Sequence, residues 1–183
     1  AIYSKNSNIN LNQIHGKQLS YNNYNDIFTA LNVSNILPKN KGTIIVKHSN
    51  PCGISIKQNH LDSYKSALSC DPISAFGGII LCNFKVNKNL AIELNKLFIE
   101  VLIAKGFENN AIKILKKKKN LRLIDSTQYK HSEIFQFLSF NEEILVQSKD
   151  SKKLTSKDFK IVSKKKPTLK QFKDLVFAFN VCR

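Results

Sequence analysis

"GTIIVKHSNPCGISI", residues 42–56, is the stretch on which the reading of the fold turns. From Gly42 to Val46 it is a short, nearly unbroken apolar run. A strand open to water on one side alternates apolar and polar residues, so an unbroken run predicts a strand covered on both faces. The run ends in a lysine and a histidine side by side, Lys47 and His48. Asn50-Pro51-Cys52-Gly53 then reads as a turn, since proline fixes φ and glycine accepts a left-handed backbone.

Working outward, the chain switches repeatedly between two periods. "LDSYKSALSC" places Leu61, Tyr64, Ala67 and Leu68 at helical spacing, and "FGGIILCN" returns to strand. "NLAIELNKLF" reads as helix, "FIEVLIA" as strand, "FENNAIKILKKKK" as helix and "NLRLID" as strand. Strands separated by helical segments of about ten residues predict an α/β fold, with a largely parallel or mixed sheet between helix layers. Upstream, "LSYNNYNDIFTALN" predicts a helix starting near Asn22 or Asn23, and residues 1–19 read as strand or loop. Past Asp125 the pattern weakens. "EILVQS" is the convincing strand there, before an amphipathic helix in "LKQFKDLVFAFNVCR". This divides the chain into a first α/β subdomain over 1–124 and a connecting segment with the start of a next subdomain over 125–183.

The net charge is +16, which raises the class of nucleic-acid binders. The excess follows a general over-use of Lys, Asn and Ile, as in "NSNINLNQIH" and "KILKKKKN". Aromatic residues are not interleaved with the basic runs as single-strand binders require, so nucleic acid is not the expected partner. The lysine run 116–119 falls at a helix end, where cations suit the dipole. A small anionic substrate would still gain from the field. No run approaches the roughly 20 apolar residues that span a bilayer, and the N-terminal residues lack the pattern of a signal peptide, so a cytoplasmic protein without membrane partners is expected. Cys52, Cys70, Cys82 and Cys182 have no close pair spacing and read as buried thiols in a reducing compartment. "HSNPC" lacks the glutamate after His48 and the second cysteine after Cys52 that a deaminase zinc site needs, so no metal is expected.

Lys47 and His48 stand at the C-terminal end of a predicted central strand, the edge at which ligands bind in open α/β sheets. A neutral imidazole there can take a proton and the ammonium can stabilise developing negative charge; the alternative is a solvated strand end. Cys52 reads as a packed or turn-lining thiol rather than a nucleophile. In "DPISAFGGII", residues 71–80, paired glycines let backbone N–H groups approach a ligand closely. Glu100, a carboxylate within an apolar strand, must pair, bind a ligand or lie at the sheet edge, because burying it ionised and alone costs several kcal/mol.

Taken together, "GKQLSYNN", "VKHSNPCG", "DPISAFGGII", "FIEVLIA" and "ILKKKKNLRLI", in this order and spacing, closely resemble the bifunctional purine-biosynthesis enzymes. These join phosphoribosylaminoimidazolecarboxamide (AICAR) formyltransferase to inosinate cyclohydrolase. The resemblance covers nearly the whole chain and falls in the formyltransferase part. It implies a duplicated cytidine-deaminase-like sandwich without zinc, of which this chain is the first half. It also implies formyl transfer from the co-substrate 10-formyltetrahydrofolate to the 5-amino group of AICAR. By similarity Lys47 and His48 are the catalytic pair, with His48 as general base and Lys47 assisting at the formyl or leaving nitrogen. Asn23, Phe76, Gly77 and Glu100 match positions lining the nucleotide site, and Cys52 matches a replaceable turn residue.

The resemblance also implies what lies elsewhere. The family's "RYGxNPHQ" motif belongs just before Ala1 and its "KSNA" segment shortly after Arg183. The second deaminase-like half, with most folate contacts, a further Asn and a substrate Arg, is not in these residues. The family's active sites lie at a homodimer interface. An internal fragment with little or no turnover by itself is therefore the expectation. "FNEEILVQSKD" departs from relatives that carry Gly-Gly before "LLVQ". The competing readings are a basic nucleic-acid-binding domain and an inactive remnant of the enzyme.

Overall fold

In the computed structural model, which describes residues 11–130, 135–150, 152 and 154–182, the apolar runs of the sequence lie side by side in one sheet. The strand-or-loop reading of residues 1–10 lies outside the described residues. The chain divides into two units, residues 1–131 and 132–183.

The first unit holds β1 (Asn12–His15), β2 (Gly42–Lys47), β3 (Asn50–Ile56), β4 (Ile79–Cys82), β5 (Val101–Ala104) and β6 (Arg122–Asp125). Their order in the sheet is β1-β6-β5-β4-β2-β3. The pairs β4/β5 and β5/β6 are parallel, whereas β1/β6, β2/β4 and β2/β3 are antiparallel, so the sheet is mixed. Each parallel connection is made by a short helix, α3 (Lys88–Leu94) or α4 (Asn109–Leu115). With α2 (His60–Leu68) these helices bury Tyr64, Ala67, Leu90, Leu94, Ala111 and Leu115 in one cluster with Ile45, Ile80, Leu102 and Leu123 of the sheet. Successive strand residues face opposite ways, so Ile44, Val46 and Leu81 serve the other face. There α1 (Tyr21–Ser34) packs on β2 and β4, with Ile27, Ala30 and Leu31 buried. Each such Leu or Ile side chain withdrawn from water contributes about 1.5–3 kcal/mol.

Side chains close the helix starts. Ser20 caps α1, accepting from the Asn23 amide at 3.2 Å while Asn23 Oδ1 accepts from the Ser20 amide at 3.1 Å. Asn59 and Asn87 cap α2 and α3 with their side-chain oxygens, which accept from backbone amides of the first turn. The lysine run follows the end of α4, and Lys118 Nζ donates to the Leu97 carbonyl at 2.8 Å.

Two expectations need correction. Asn50-Pro51-Cys52-Gly53 is the start of strand β3, not a turn. Proline is tolerated because β3 is the sheet edge, where a missing N–H breaks no ladder. The register jumps from Ile45↔Gly53 to Val46↔Pro51, which leaves Cys52 as the extra residue of a β-bulge. Gly53 has a separate reason: a Cβ there would stand 2.1 Å from the Ala67 carbonyl oxygen of α2. Glu100, expected inside a strand, instead precedes β5.

The second unit contains a hairpin of β7 (Phe135–Phe140) and β8 (Glu143–Ser148), a 3-10 turn at Ser156–Asp158, and α5 (Leu169–Cys182). β7 is absent from the sequence reading. Thr168 and Gln171 exchange capping hydrogen bonds at the start of α5, and Asn180 bonds both polar backbone groups of Leu154. Among the described residues no helix is long and apolar enough to cross a membrane.

Candidate active site

β2 delivers Lys47 to one end of the sheet, and the next two residues form the hairpin to β3. Lys47 pairs with Asn50, so His48 and Ser49 are the two central residues of the turn. Both have positive φ, 52° and 61°. This is the signature of a type I′ turn, whose twist matches that of the flanking strands. For residues with a Cβ, such a backbone costs on the order of 1–3 kcal/mol each. His48 is exposed at the tip, and the Lys47 stem is half-buried.

The neighbours of the pair come from β4, β5 and β6, but not from the edge expected. Because β2 runs antiparallel to β4, its C-terminal end meets their amino ends: Val46 lies opposite Ile79, Ile79 beside Val101, and Val101 beside Arg122. The carboxyl ends of the parallel strands are at the far edge. A cavity of about 340 Å³ opens there, lined by Leu37, Lys39, Asn83, Lys105 and Ser126 among others. Lys105 Nζ is held by the Ser126 carbonyl at 2.8 Å, and burial lowers its pKa.

Of the six sequence-selected residues, Phe76 and Gly77 lie against Lys47, whereas Asn23 and Glu100 pair with each other farther along. Lys47 Nζ donates to the Phe76 carbonyl. Gly77 follows at φ 70°, its notional Cβ 3.8 Å from the Lys47 ammonium, so this position keeps a backbone that side chains rarely adopt directly beside the cation. The Gly77 amide donates to the Phe98 carbonyl at 2.8 Å, and the Phe76 and Phe98 rings lie 5.2 Å apart. Both rings are substantially exposed, at 57% and 48%, and form an open aromatic shelf next to Lys47.

Asn23 and Glu100 form a second group along the same edge. Glu100 donates its amide to the Gly78 carbonyl, and its Oε2 accepts from Asn23 Nδ2 at 2.9 Å. Arg122 Nη1 lies 3.8 Å from the same oxygen, while Arg122 Nε donates to the Gln18 carbonyl. Glu100 is thus paired, yet its side chain remains 43% exposed. Asn23 is buried, and its amide is already engaged at both ends, by the α1 cap and by Glu100.

Cys52 sits in the bulge, donating to the Ile45 carbonyl at 3.6 Å, and burial, reinforced by Asp71, pushes its thiol pKa up. A raised pKa leaves little thiolate, which suits a packed residue and not a nucleophile. Among the described residues no group of His, Cys, Asp and Glu is placed to hold a metal ion. Sequence reading missed Phe98, Arg122, Asn25 and Asp26. Phe98 was absorbed into a predicted strand, and the others carry no local motif.

A mixed six-stranded sheet with a lysine and a histidine presented from the β2–β3 hairpin defines an α/β protein with a compact polar centre at one end of the sheet. The family model described as AICARFT/IMPCHase bienzyme matches residues 1–183, and the chain belongs to that family. It is 42% identical over 171 residues to the bifunctional purine biosynthesis protein PurH of Thermoanaerobacter, covering 93% of this chain and 33% of that protein. The protein of the same name from Acetivibrio thermocellus is 40% identical over 175 residues, 93% of this chain and 34% of its own. That of Leptospira biflexa is 42% identical over 168 residues, 91% of this chain and 33% of its own. The chain therefore spans about a third of the length of the curated relatives it matches.

Proposed function

We propose that this chain carries part of a formyltransferase centre acting in purine biosynthesis, in a cytoplasmic enzyme that also cyclises the product to inosinate. The reaction is transfer of a formyl group from 10-formyltetrahydrofolate to the 5-amino group of AICAR. The AICAR amine is a weak nucleophile, because the ring and carboxamide withdraw its lone pair. As its nitrogen attacks the formyl carbon, His48 takes the amine proton, and the folate N10 departs with a proton as the tetrahedral intermediate collapses. Lys47 offsets the negative charge on that intermediate. Phe76 and Gly77 border the nucleotide beside Lys47, and Glu100, oriented by Asn23, faces it from the segment just before β5.

The observation that carries this reading is the meeting of Lys47, Phe76 and Gly77 at one sheet edge, with His48 on the adjoining turn, in a chain of this family. The cytidine-deaminase-like character of the sheet, the homodimer and the folate contacts belong to the same reading. Complete activity then needs the two thirds of the relatives' length that these residues do not cover, and the 183 residues alone turn over little or nothing. The test places Lys47→Ala in the full-length polypeptide carrying this segment and follows the folate absorbance change on loss of the formyl group. A fall in kcat of about 10²-fold or more is expected. A variant that transfers formyl at the parent rate removes Lys47 from the chemistry.

A further inference from the structure

The turn that presents His48 is poorly served by its own residues. A two-residue hairpin with positive φ at both central positions is usually built from Asn-Gly or Gly-Gly, because glycine takes that backbone without steric cost. Here the positions are filled by His48 and Ser49. The support comes from outside the turn. Asp26, on α1, accepts from the Ser49 amide through Oδ1 at 2.6 Å, and the Ser49 hydroxyl lies 3.4 Å from the same oxygen. Asn25 Nδ2 donates to Ser49 Oγ at 2.8 Å, and Asn50 Nδ2 donates to the His48 carbonyl at 3.0 Å. The Asp26 contact is the strong one, being short and made by a carboxylate to a backbone N–H.

α1 does this from a fixed place. Its buried face packs on β2 and β4, and Asn23, one turn before Asp26, bonds Glu100. Residues three apart lie on one helix face, so the same face holds both the Glu100 carboxylate and the turn of His48.

Resting on the reading of Lys47 and His48 as a catalytic pair, we propose that Asp26 is a positioning residue for the formyl transfer, holding the left-handed turn that sets His48 beside Lys47. It acts through the Ser49 amide and not on the substrate. Two consequences separate this role from a general contribution to folding. The Ser49 side chain is dispensable, since the bond goes to its backbone. Glycine at position 49, which reaches positive φ unaided, makes Asp26 largely unnecessary.

The experiment compares Asp26→Ala, Asp26→Asn, Ser49→Ala, Ser49→Gly and the double variant Asp26→Ala/Ser49→Gly in the full-length polypeptide, with circular dichroism to establish folding. Asp26→Ala is expected to lower kcat between about tenfold and a hundredfold with little change in KM for AICAR, as misplacement of a catalytic group does. Asp26→Asn, which keeps the accepting oxygen and tests the charge alone if the alanine variant does not fold, loses less. Ser49→Ala stays close to the parent. The double variant recovers most of the kcat of Ser49→Gly alone. Hydrogen exchange at the Ser49 amide speeds up in Asp26→Ala, a readout independent of turnover. Parent-like kcat in Asp26→Ala, or a loss that glycine at 49 does not rescue, overturns the proposal. His48→Ala measured alongside keeps the two readings apart. If it retains full activity the catalytic pair itself fails and the positioning role with it, whereas accelerated exchange would still locate the clamp.

Discussion

β5 and β8 are both short and both rich in Val, Leu and Ile, yet every residue of β5 is buried and every residue of β8 is exposed. β5 lies in the middle of a six-stranded sheet, paired with β4 and β6 and covered by helices. β8 pairs with β7, and among the described residues that two-stranded ribbon leaves Phe137, Leu138, Ile144 and Leu145 largely open to water. Apolar composition makes both segments strands. Only the number of neighbours makes one of them a core, and a lone hairpin is marginal in water.

The largest expected effect follows from that contrast. Leu102→Ala, at a fully buried β5 position, removes side-chain contacts and leaves a cavity, and should destabilise the chain by about 2–5 kcal/mol in urea unfolding. A loss below 1 kcal/mol would mean that the core is looser than its burial indicates.

The next effect is a pH dependence confined to the same core. Burial raises the Tyr64 hydroxyl and the Cys82 thiol to about 12 each, above their ordinary values of 10.0 and 9.0. The folded state therefore holds these protons where the unfolded chain releases them. Their contribution is fully present below the unfolded values and is lost as pH rises toward 12. Stability should thus decline through the alkaline range, and Tyr64→Phe should flatten part of that decline. An unchanged slope in Tyr64→Phe would place the loss elsewhere.

Thiol labelling sharpens the comparison at smaller scale. Cys70 and Cys182 are exposed, Cys52 is half-buried and Cys82 is fully buried. Native labelling should follow that order, with Cys82 reacting only on unfolding. Early reaction of Cys82 would show that the sheet opens locally. The smallest effect belongs to the ribbon. Leu145→Ala, 59% exposed, should change stability by no more than about 0.5 kcal/mol, and a cost approaching that of Leu102→Ala would break the contrast with β5.

Much of the central fold was legible because β2, β4 and β5 are unbroken apolar runs and helices of contrasting period separate β4, β5 and β6. The hairpin was not. Pro51 and Gly53 carry turn chemistry by composition, but an edge strand accepts the proline and the close approach of α2 demands the glycine. The real turn, His48-Ser49, has no turn signature, because its main support comes from Asp26, more than twenty residues away in sequence. The same hairpin reverses β2 relative to β4, which moved Lys47 and His48 to the amino ends of the parallel strands. Strand direction is a tertiary property that period alone does not carry. β7, Phe-Gln-Phe-Leu-Ser-Phe, was hidden because adjacent Phe137 and Leu138 break the apolar–polar alternation of a half-buried strand. Asn23, Phe76, Gly77 and Glu100 were named through family resemblance, and their contacts came only with the structure.

The central claim is that His48 performs the proton transfer. Single-turnover formyl transfer by His48→Ala, in the full-length polypeptide with saturating AICAR and 10-formyltetrahydrofolate, tests it most directly alongside equilibrium binding of AICAR. The account expects nearly unchanged AICAR affinity and a transfer step slowed by about 10²–10⁴-fold. A transfer step at the parent rate, or a loss that lies wholly in binding, would contradict it.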